Sequence, residues 1–126
     1  MNTIIHFAIK KMSPQLLVAN VERSIEFYTT QLGFDVDFRF EDFYAGIIKD
    51  GYSIHIKMCK PSKIEEAKPN RNKEDVDILF AVDDIESLYE ELTNKSVNIT
   101  QPLRQMPYGK EFYVADPDGN MLAFLE

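Results

Sequence analysis

Residues 17–28 read LVANVERSIEFY, and residues 81–92 read AVDDIESLYEEL, 64 positions further along the chain. Each copy has an apolar stretch, then an Asn or Asp that can cap a helix (Asn20, Asp84), then apolar residues at helical spacing. An internal repeat indicates that the chain is built from two equivalent units. We therefore predict two modules with the same order of elements, so that equivalent positions can be compared directly.

The first module is predicted to span residues 13–59. Gly33 stands where a helix can end in the left-handed conformation, and Asp50-Gly51 is typical of a two-residue β-hairpin turn. Apolar and polar residues alternate over residues 34–41, which predicts a half-buried strand. The predicted elements are a strand at 15–19, a helix at 21–32, and strands at 34–40, 43–49 and 52–59.

The second module is predicted to span residues 76–126. Its elements are a strand at 77–82, a helix at 85–93, a strand at 97–100, a loop at 102–107, and strands at 111–115 and 120–125. The polar, proline-containing segment 60–75 is interpreted as a linker. Residues 1–12 lie outside the repeat, and either add an edge strand or are loosely held.

These elements predict an α+β fold with one domain over residues 1–126. Each βαβββ module is too small to bury its own sheet, so we expect the two to pack together. Curved mixed sheets would then surround a central cleft, with the helices outside.

Composition limits the classes of function. The net charge of −7 argues against a nucleic-acid partner and suits either solubility or a cationic ligand. A single cysteine, Cys59, fits a reducing compartment. We see no membrane span and no secretory signal, and we expect a cytoplasmic protein.

The sequence resembles the vicinal oxygen chelate superfamily, which includes glyoxalases, bleomycin resistance proteins and dioxygenases. The resemblance covers residues 13–126 and depends on the stretch from Leu16 to Phe34 and on the run Asp116-Pro117-Asp118-Gly119-Asn120. Within the superfamily the chain is most similar to the bleomycin-resistance branch, through Tyr108-Gly109-Lys110-Glu111-Phe112, where Lys110 replaces the familiar Arg. This resemblance implies a homodimer.

The superfamily's enzymes hold a divalent metal with two residues from each module. Transferred through the repeat, those positions are Ser13, His55, Asp77 and Ala123. Alanine cannot bind a metal and a neutral serine is a poor ligand, so we expect no metal and no other cofactor.

The resemblance therefore implies metal-independent binding and sequestration of a bleomycin-type antibiotic in the cleft between the modules. Two alternatives stay open. One is a metal-dependent lyase, isomerase or dioxygenase with unusual ligands, such as His55 and Asp77 with Glu111 or Glu126. The other is a cleft that binds an unrelated metabolite.

Strand alternation predicts which side chains line the cleft. His55 faces it because Ile54 and Ile56 take the helix side, and Asp77 would meet a ligand cation. Tyr113 and the phenylalanines of residues 38–43 are candidate stacking surfaces, the alternative being core or dimer interface. The predicted ligand-binding residues are Gln15, Leu17, Phe38, Phe40, Phe43, His55, Lys57, Asp77, Leu79, Tyr113, Met121 and Ala123, with Ser53 and Leu125 on the same faces.

Overall fold

A computed structural model describes residues 3–126 and confirms the α+β fold with two βαβββ-like modules. The first module contains β1 (Gln15–Val18), α1 (Val21–Glu26, continued by a π-helical segment, Phe27–Gln31), β2 (Asp35–Phe40), β3 (Tyr44–Lys49) and β4 (Tyr52–Met58). A short helix follows, α2 (Pro61–Ala67). The second module contains β5 (Ile78–Ala81), α3 (Ile85–Asn94), β6 (Ile99–Met106), β7 (Gly109–Ala115) and β8 (Met121–Leu125).

Each module forms one four-stranded mixed sheet. Sheet 1 has the order β1-β4-β3-β2, and sheet 2 has the equivalent order β5-β8-β7-β6. In both sheets the first strand pairs in parallel with the last, and the other pairs are antiparallel. Helix α1 packs against sheet 1 and α3 against sheet 2. We call the side of each sheet opposite α1 or α3 its open face.

Local sequence explains most element boundaries. The side chain of Asn20 accepts a 2.9 Å hydrogen bond from the backbone amide of Arg23 and caps α1. Gly33 adopts φ +75° after the helical segment, as predicted. Asp50 and Gly51 have φ values of +52° and +84°, which are those of a type I′ turn, so the predicted hairpin is confirmed.

Two expectations about elements need correction, the loop at residues 102–107 and the half-buried β2, while the structure adds detail to the linker and to residues 3–12. Residues 102–107, predicted as a loop, mostly belong to β6; Pro102 is tolerated because β6 is an edge strand with irregular pairing between Gln101 and Arg104. The linker contains α2, which begins with Pro61 at a position where proline favours helix initiation. Strand β2 is not half-buried, since the side chains of Val36 and Phe40 are 47% and 58% exposed. Residues 3–12 form no strand.

The two modules share one hydrophobic core on the helix sides of the sheets, which includes Val18, Tyr28 and Ile56 from the first and Leu92, Phe112 and Leu122 from the second. Polar contacts from the turn after β7 also join them. Asp118 accepts a 2.8 Å hydrogen bond from the backbone amide of Ala19, and Asn120 donates a 3.0 Å bond to the carbonyl of Leu17. No helix within residues 3–126 is long and apolar enough to cross a membrane.

Candidate functional site

The open face of sheet 1 carries a cluster of aromatic rings, formed by Phe38, Tyr44 and His55, which we call the aromatic cluster. The Phe38 ring is stacked on Tyr44 at a centroid distance of 6.1 Å and meets His55 edge-on at 5.1 Å. The cross-strand register explains this arrangement, because Gly46 lies between Phe38 and His55 on neighbouring strands. The sequence alternation of β2, β3 and β4 thus places three rings on one surface.

Gly46 is what allows the Phe38 ring to lie flat on the sheet. A Cβ atom at this position would lie 2.2 Å from the Cε1 atom of Phe38, much closer than atoms can approach. The missing side chain therefore makes room for the ring. This glycine is required for close approach, a common reason for glycine within a strand.

Hydrogen bonds fix the polar edge of the aromatic cluster. Gln15 donates its side-chain amide to the Tyr44 hydroxyl at 3.0 Å, and that hydroxyl lies 2.8 Å from Nδ1 of His55. Because the Tyr44 oxygen accepts from Gln15, its own proton can be donated to Nδ1 of His55. In that tautomer, Nε2 of His55 carries the ring N–H and can donate it to a ligand.

The open face of sheet 2 carries a charged network instead. Glu111 is only 3% exposed, and its carboxylate accepts hydrogen bonds from Arg104 (2.5 Å), Tyr108 (2.5 Å) and Tyr113 (3.1 Å). Burial alone would raise the pKa of Glu111, but these three donors outweigh it and lower the pKa. The hydrogen bond that Tyr108 donates to Glu111 raises the pKa of the Tyr108 hydroxyl to about 12. Glu111 is therefore held as a carboxylate.

The linker contributes to this network. Glu74 accepts a 2.8 Å hydrogen bond from Arg104, which in turn lies over the Tyr113 ring at 5.5 Å from its centroid. The hydrogen bond from Arg104 lowers the pKa of Glu74. Tyr113 is only 6% exposed, so within one chain its ring is covered, in line with the alternative that it belongs to the core. The predicted open aromatic surface thus lies on sheet 1.

Asp77 is occupied by cations of the same chain. Lys68 and Arg71 approach its carboxylate at 3.0 and 2.9 Å, and the backbone amide of Met121 donates a 2.7 Å bond to it. Burial opposes ionisation of Asp77, but the three donors outweigh it and lower the pKa. Its charge is already neutralised, so a ligand cation would have to displace Lys68 or Arg71.

Glu126 also has a partner in the structure. Its two carboxylate oxygens accept hydrogen bonds from the backbone amides of Asp84 and Ile85, at 2.8 and 3.0 Å. These amides stand at the start of α3, where the helix dipole favours a negative charge, and they lower the pKa of Glu126. Glu126 therefore acts as the cap of α3, a role that Asp84 itself does not fill.

The predicted ligand-binding residues fall into two groups that do not meet within one chain. Among residues 3–126, no hydrogen bond, ion pair or ring contact joins the aromatic cluster to the network around Glu111. Phe40, Phe43 and Leu79 remain 58%, 51% and 56% exposed, whereas Ala123 is only 1% exposed. Sheet 1 carries Gln15, Leu17, Phe38, Phe40, His55 and Lys57, and Phe43 lies in the turn before its strand β3. Sheet 2 carries Leu79, Tyr113, Met121 and Ala123, and Asp77 directly precedes its strand β5.

Sequence reasoning missed three contributors to these faces. Tyr44 could have been found, since it lies on the same side of β3 as Gly46 and opposite Lys57. Arg104 and Glu74 could not, because they meet only through the path of the linker across sheet 2. No local pattern of residues 60–75 indicates that path.

A family model described as "Glyoxalase/Bleomycin resistance protein/Dioxygenase superfamily" matches residues 3–124. The chain belongs to this superfamily. The resemblance inferred from Leu16 to Phe34 and from residues 116–120 is therefore confirmed. A search of curated proteins finds no match.

Several solved structures share the fold of this chain. A member from Sphaerobacter thermophilus is 25% identical with a TM-score of 0.72, over 94% of this chain and 98% of that one. The bleomycin-binding protein of Streptomyces verticillus, complexed with copper(II)-bleomycin, is 24% identical with a TM-score of 0.70, over 97% and 98%. TnmS3, an antibiotic binding protein from a Streptomyces species, is 19% identical with a TM-score of 0.67, over 95% and 98%.

The superfamily's metal positions do not fit a metal in this chain. Ser13 is hydrogen-bonded to Ser53, Asp77 is paired with two cations, and Ala123 has no donor atom. His55 is the one imidazole at these positions, and its Nδ1 faces the Tyr44 hydroxyl. Within the described range, no three His, Cys, Asp or Glu residues converge as metal ligands. A divalent metal needs several convergent deprotonated donors, which these four residues do not supply.

Proposed function

We propose that this superfamily member binds a small planar molecule on its open faces and sequesters it without a metal. The observation that carries the proposal is the aromatic cluster, in which Phe38 lies flat over Gly46 beside Tyr44 and His55. Aromatic faces bind flat heterocycles by stacking and attract cations by their electron density. The exposed Phe40, whose ring centroid lies 5.6 Å from that of Phe38, extends this surface.

A bleomycin-type antibiotic is the ligand class we propose. Bleomycin combines planar rings with cationic groups, which suits an aromatic surface on a chain of net charge −7. Two structures with the same fold, those of the Streptomyces verticillus protein and of TnmS3, are described as bleomycin-binding and antibiotic binding. His55 Nε2 would donate to an acceptor on the ligand, and Lys57 lies beside Leu17 on the same face.

The engaged carboxylates support binding rather than metal-dependent catalysis. An enzyme with His55 and Asp77 plus Glu111 or Glu126 as ligands would need to break existing contacts at every carboxylate. Asp77 is paired with Lys68 and Arg71, Glu111 with Arg104, and Glu126 caps α3. Removing a partly buried carboxylate from its ion pair leaves a cation unpaired and is costly.

A homodimer would complete the site. Within one chain the two open faces do not contact each other. Phe40 and Leu79 on these faces, and Phe43 in the turn before β3, are each more than half exposed. Large exposed apolar residues of this kind are typical of interaction surfaces. We propose that sheet 1 of one copy faces sheet 2 of the other, in the cytoplasm, where the single thiol of Cys59 stays reduced.

The proposal is tested by titrating the metal-stripped protein with metal-free bleomycin in a calorimeter, and repeating the titration with zinc, nickel and manganese. Saturable binding without metal, unchanged by the three metals, supports sequestration. Binding or turnover that appears only with one metal, together with metal retained through purification, would instead support a metal-dependent lyase, isomerase or dioxygenase. Sedimentation at micromolar concentration tests the dimer independently.

A further inference from the structure

Arg104, on the open face of sheet 2, is held in one orientation by a buried partner. Its Nε and Nη2 atoms donate to the same oxygen of Glu111, at 2.9 and 2.5 Å, and the pairing of β6 with β7 places these two residues opposite each other. The guanidinium also lies over the Tyr113 ring. Because Glu111 takes one edge of the guanidinium, the other edge, with Nη1 and Nη2, is oriented before a ligand arrives.

The chain's own Glu74 occupies this second edge. Nη2 of Arg104 donates to Oε2 of Glu74 at 2.8 Å, and Nη1 donates to Oε1 at 3.4 Å. Such paired contacts are the usual way in which an arginine recognises a carboxylate. The Tyr113 hydroxyl lies 3.5 Å from the same Oε2 atom. The geometry around the second edge of Arg104 therefore fits a carboxylate.

The two carboxylates on Arg104 differ in how easily they can be exchanged. The Glu111 side chain is only 4% exposed, and breaking a buried ion pair is costly. The Glu74 side chain is 47% exposed and lies between α2 and β5, outside any helix or strand. Exposed ion pairs contribute little to stability, so another carboxylate can replace Glu74 at small cost.

The segment that carries Glu74 has a second anchor. Arg71 donates to the carboxylate of Asp77 at 3.1 Å and to the carbonyl of Asp75 at 2.9 Å. Neither contact involves Arg104. Loss of the contact between Glu74 and Arg104 therefore leaves this segment attached to the start of β5.

We propose that the second edge of Arg104 is a carboxylate-binding subsite, which Glu74 occupies until the carboxylate of a small ligand replaces it. The exchange leaves the local charge unchanged, because one carboxylate takes the place of another. Arg104 remains paired with Glu111 throughout. This subsite lies on sheet 2, apart from the aromatic cluster on sheet 1, and does not depend on the binding of bleomycin.

Benzoate and its uncharged analogue benzamide test this proposal in NMR titrations at constant ionic strength. Glu74→Gln removes the competing charge. Benzoate should therefore bind this variant about two- to fivefold more tightly than it binds the wild type, the effect of one exposed ion pair. The side-chain Nε–H resonance of Arg104 should shift with benzoate and stay in place with benzamide.

Glu65→Gln is the matched control. Glu65 is exposed on α2 and forms no ion pair within residues 3–126, so this substitution removes the same charge without touching Arg104. Its affinity for benzoate should equal that of the wild type. Cooperative thermal unfolding of both variants checks that they are folded.

Three results would overturn the proposal. Equal gains in Glu74→Gln and Glu65→Gln would show a general effect of net charge. A shift of the Arg104 resonance with benzamide as large as with benzoate would show no selection for a carboxylate. No saturable shift of that resonance with benzoate in Glu74→Gln would show that no subsite exists. Failure of bleomycin to bind the wild type would change none of these results, so the two proposals are tested separately.

Discussion

The Tyr28 hydroxyl donates a 2.8 Å hydrogen bond to the carboxylate of Asp116 and thereby joins the two modules. Both residues are buried, and Asp116 also accepts from the side-chain amide of Asn120 and from the backbone amides of Asp118 and Asn120. Burial raises the pKa of Asp116 above its usual range, although all these donors favour the carboxylate. The run at residues 116–120 is thus a structural joint between the modules.

Replacing Tyr28 by phenylalanine should lower the free energy of unfolding by about 1–3 kcal/mol, because a buried acceptor of Asp116 loses its donor. Urea denaturation measures this change. Tyr89→Phe is a matched control, since Tyr89 lies on the helix of the other module and its hydroxyl forms no hydrogen bond within residues 3–126. Equal effects of the two substitutions would show that the bond to Asp116 contributes nothing specific.

Gly46→Ala should weaken ligand binding by displacing the Phe38 ring. A Cβ atom 2.2 Å from the ring leaves no position for Phe38 over the strand. We expect a loss of about 1–3 kcal/mol in binding free energy, the range for one stacked ring, measured by calorimetry. In the Phe38→Ala background the same glycine substitution should have little further effect, because the two residues are coupled. Additive losses would contradict the proposed steric mechanism.

Glu111 should make stability fall in acid. Its pKa is lowered in the folded protein, so its contribution is present above the unfolded value of about 4.3 and is lost as the pH falls further. Glu111→Gln should destabilise the protein by about 1–3 kcal/mol near pH 7, and the difference from wild type should shrink below about pH 4. Glu90→Gln, at an exposed position of α3, should show no such convergence. A constant difference across pH would mean that the ionised form of Glu111 is not the stabilising one.

Asp77→Asn should affect stability more than binding of a cationic ligand. Lys68 and Arg71, whose side chains are only 24% and 21% exposed, would both lose their carboxylate. We expect a decrease of about 1–3 kcal/mol in the free energy of unfolding and less than a threefold change in affinity. Exposed Asp83, which has no ion pair within residues 3–126, provides the control Asp83→Asn. A large loss of affinity without a loss of stability would instead support Asp77 as the carboxylate that binds the ligand's cation.

Elements with local signals could be predicted from the sequence. The capping side chain of Asn20, the left-handed Gly33 and the Asp50-Gly51 turn are each properties of a few neighbouring residues, and each is present as predicted. The alternation of side chains along a strand also predicts that His55 and Gln15 share one face of sheet 1, because this two-residue period is a local property as well.

The environment of each site residue could not be predicted in this way. The pairing of Asp77 with Lys68 and Arg71, and the cover that Arg104 provides for Tyr113, depend on contacts between distant segments. The sequence predicts a loop at residues 102–107, which begin with Pro102, but pairing with β7 places most of them in an edge strand. Local residue preferences indicate neither kind of long-range contact.

The central claim is that the aromatic cluster holds the ligand without a metal. The most direct test is a pair of calorimetric titrations in which metal-stripped wild type and metal-stripped Phe38→Ala are each titrated with metal-free bleomycin. We predict saturable binding by the wild type and affinity at least about fivefold weaker for the variant, the effect of losing one stacking ring. Equal affinities, or no binding to the wild type until a metal is added, would contradict the account.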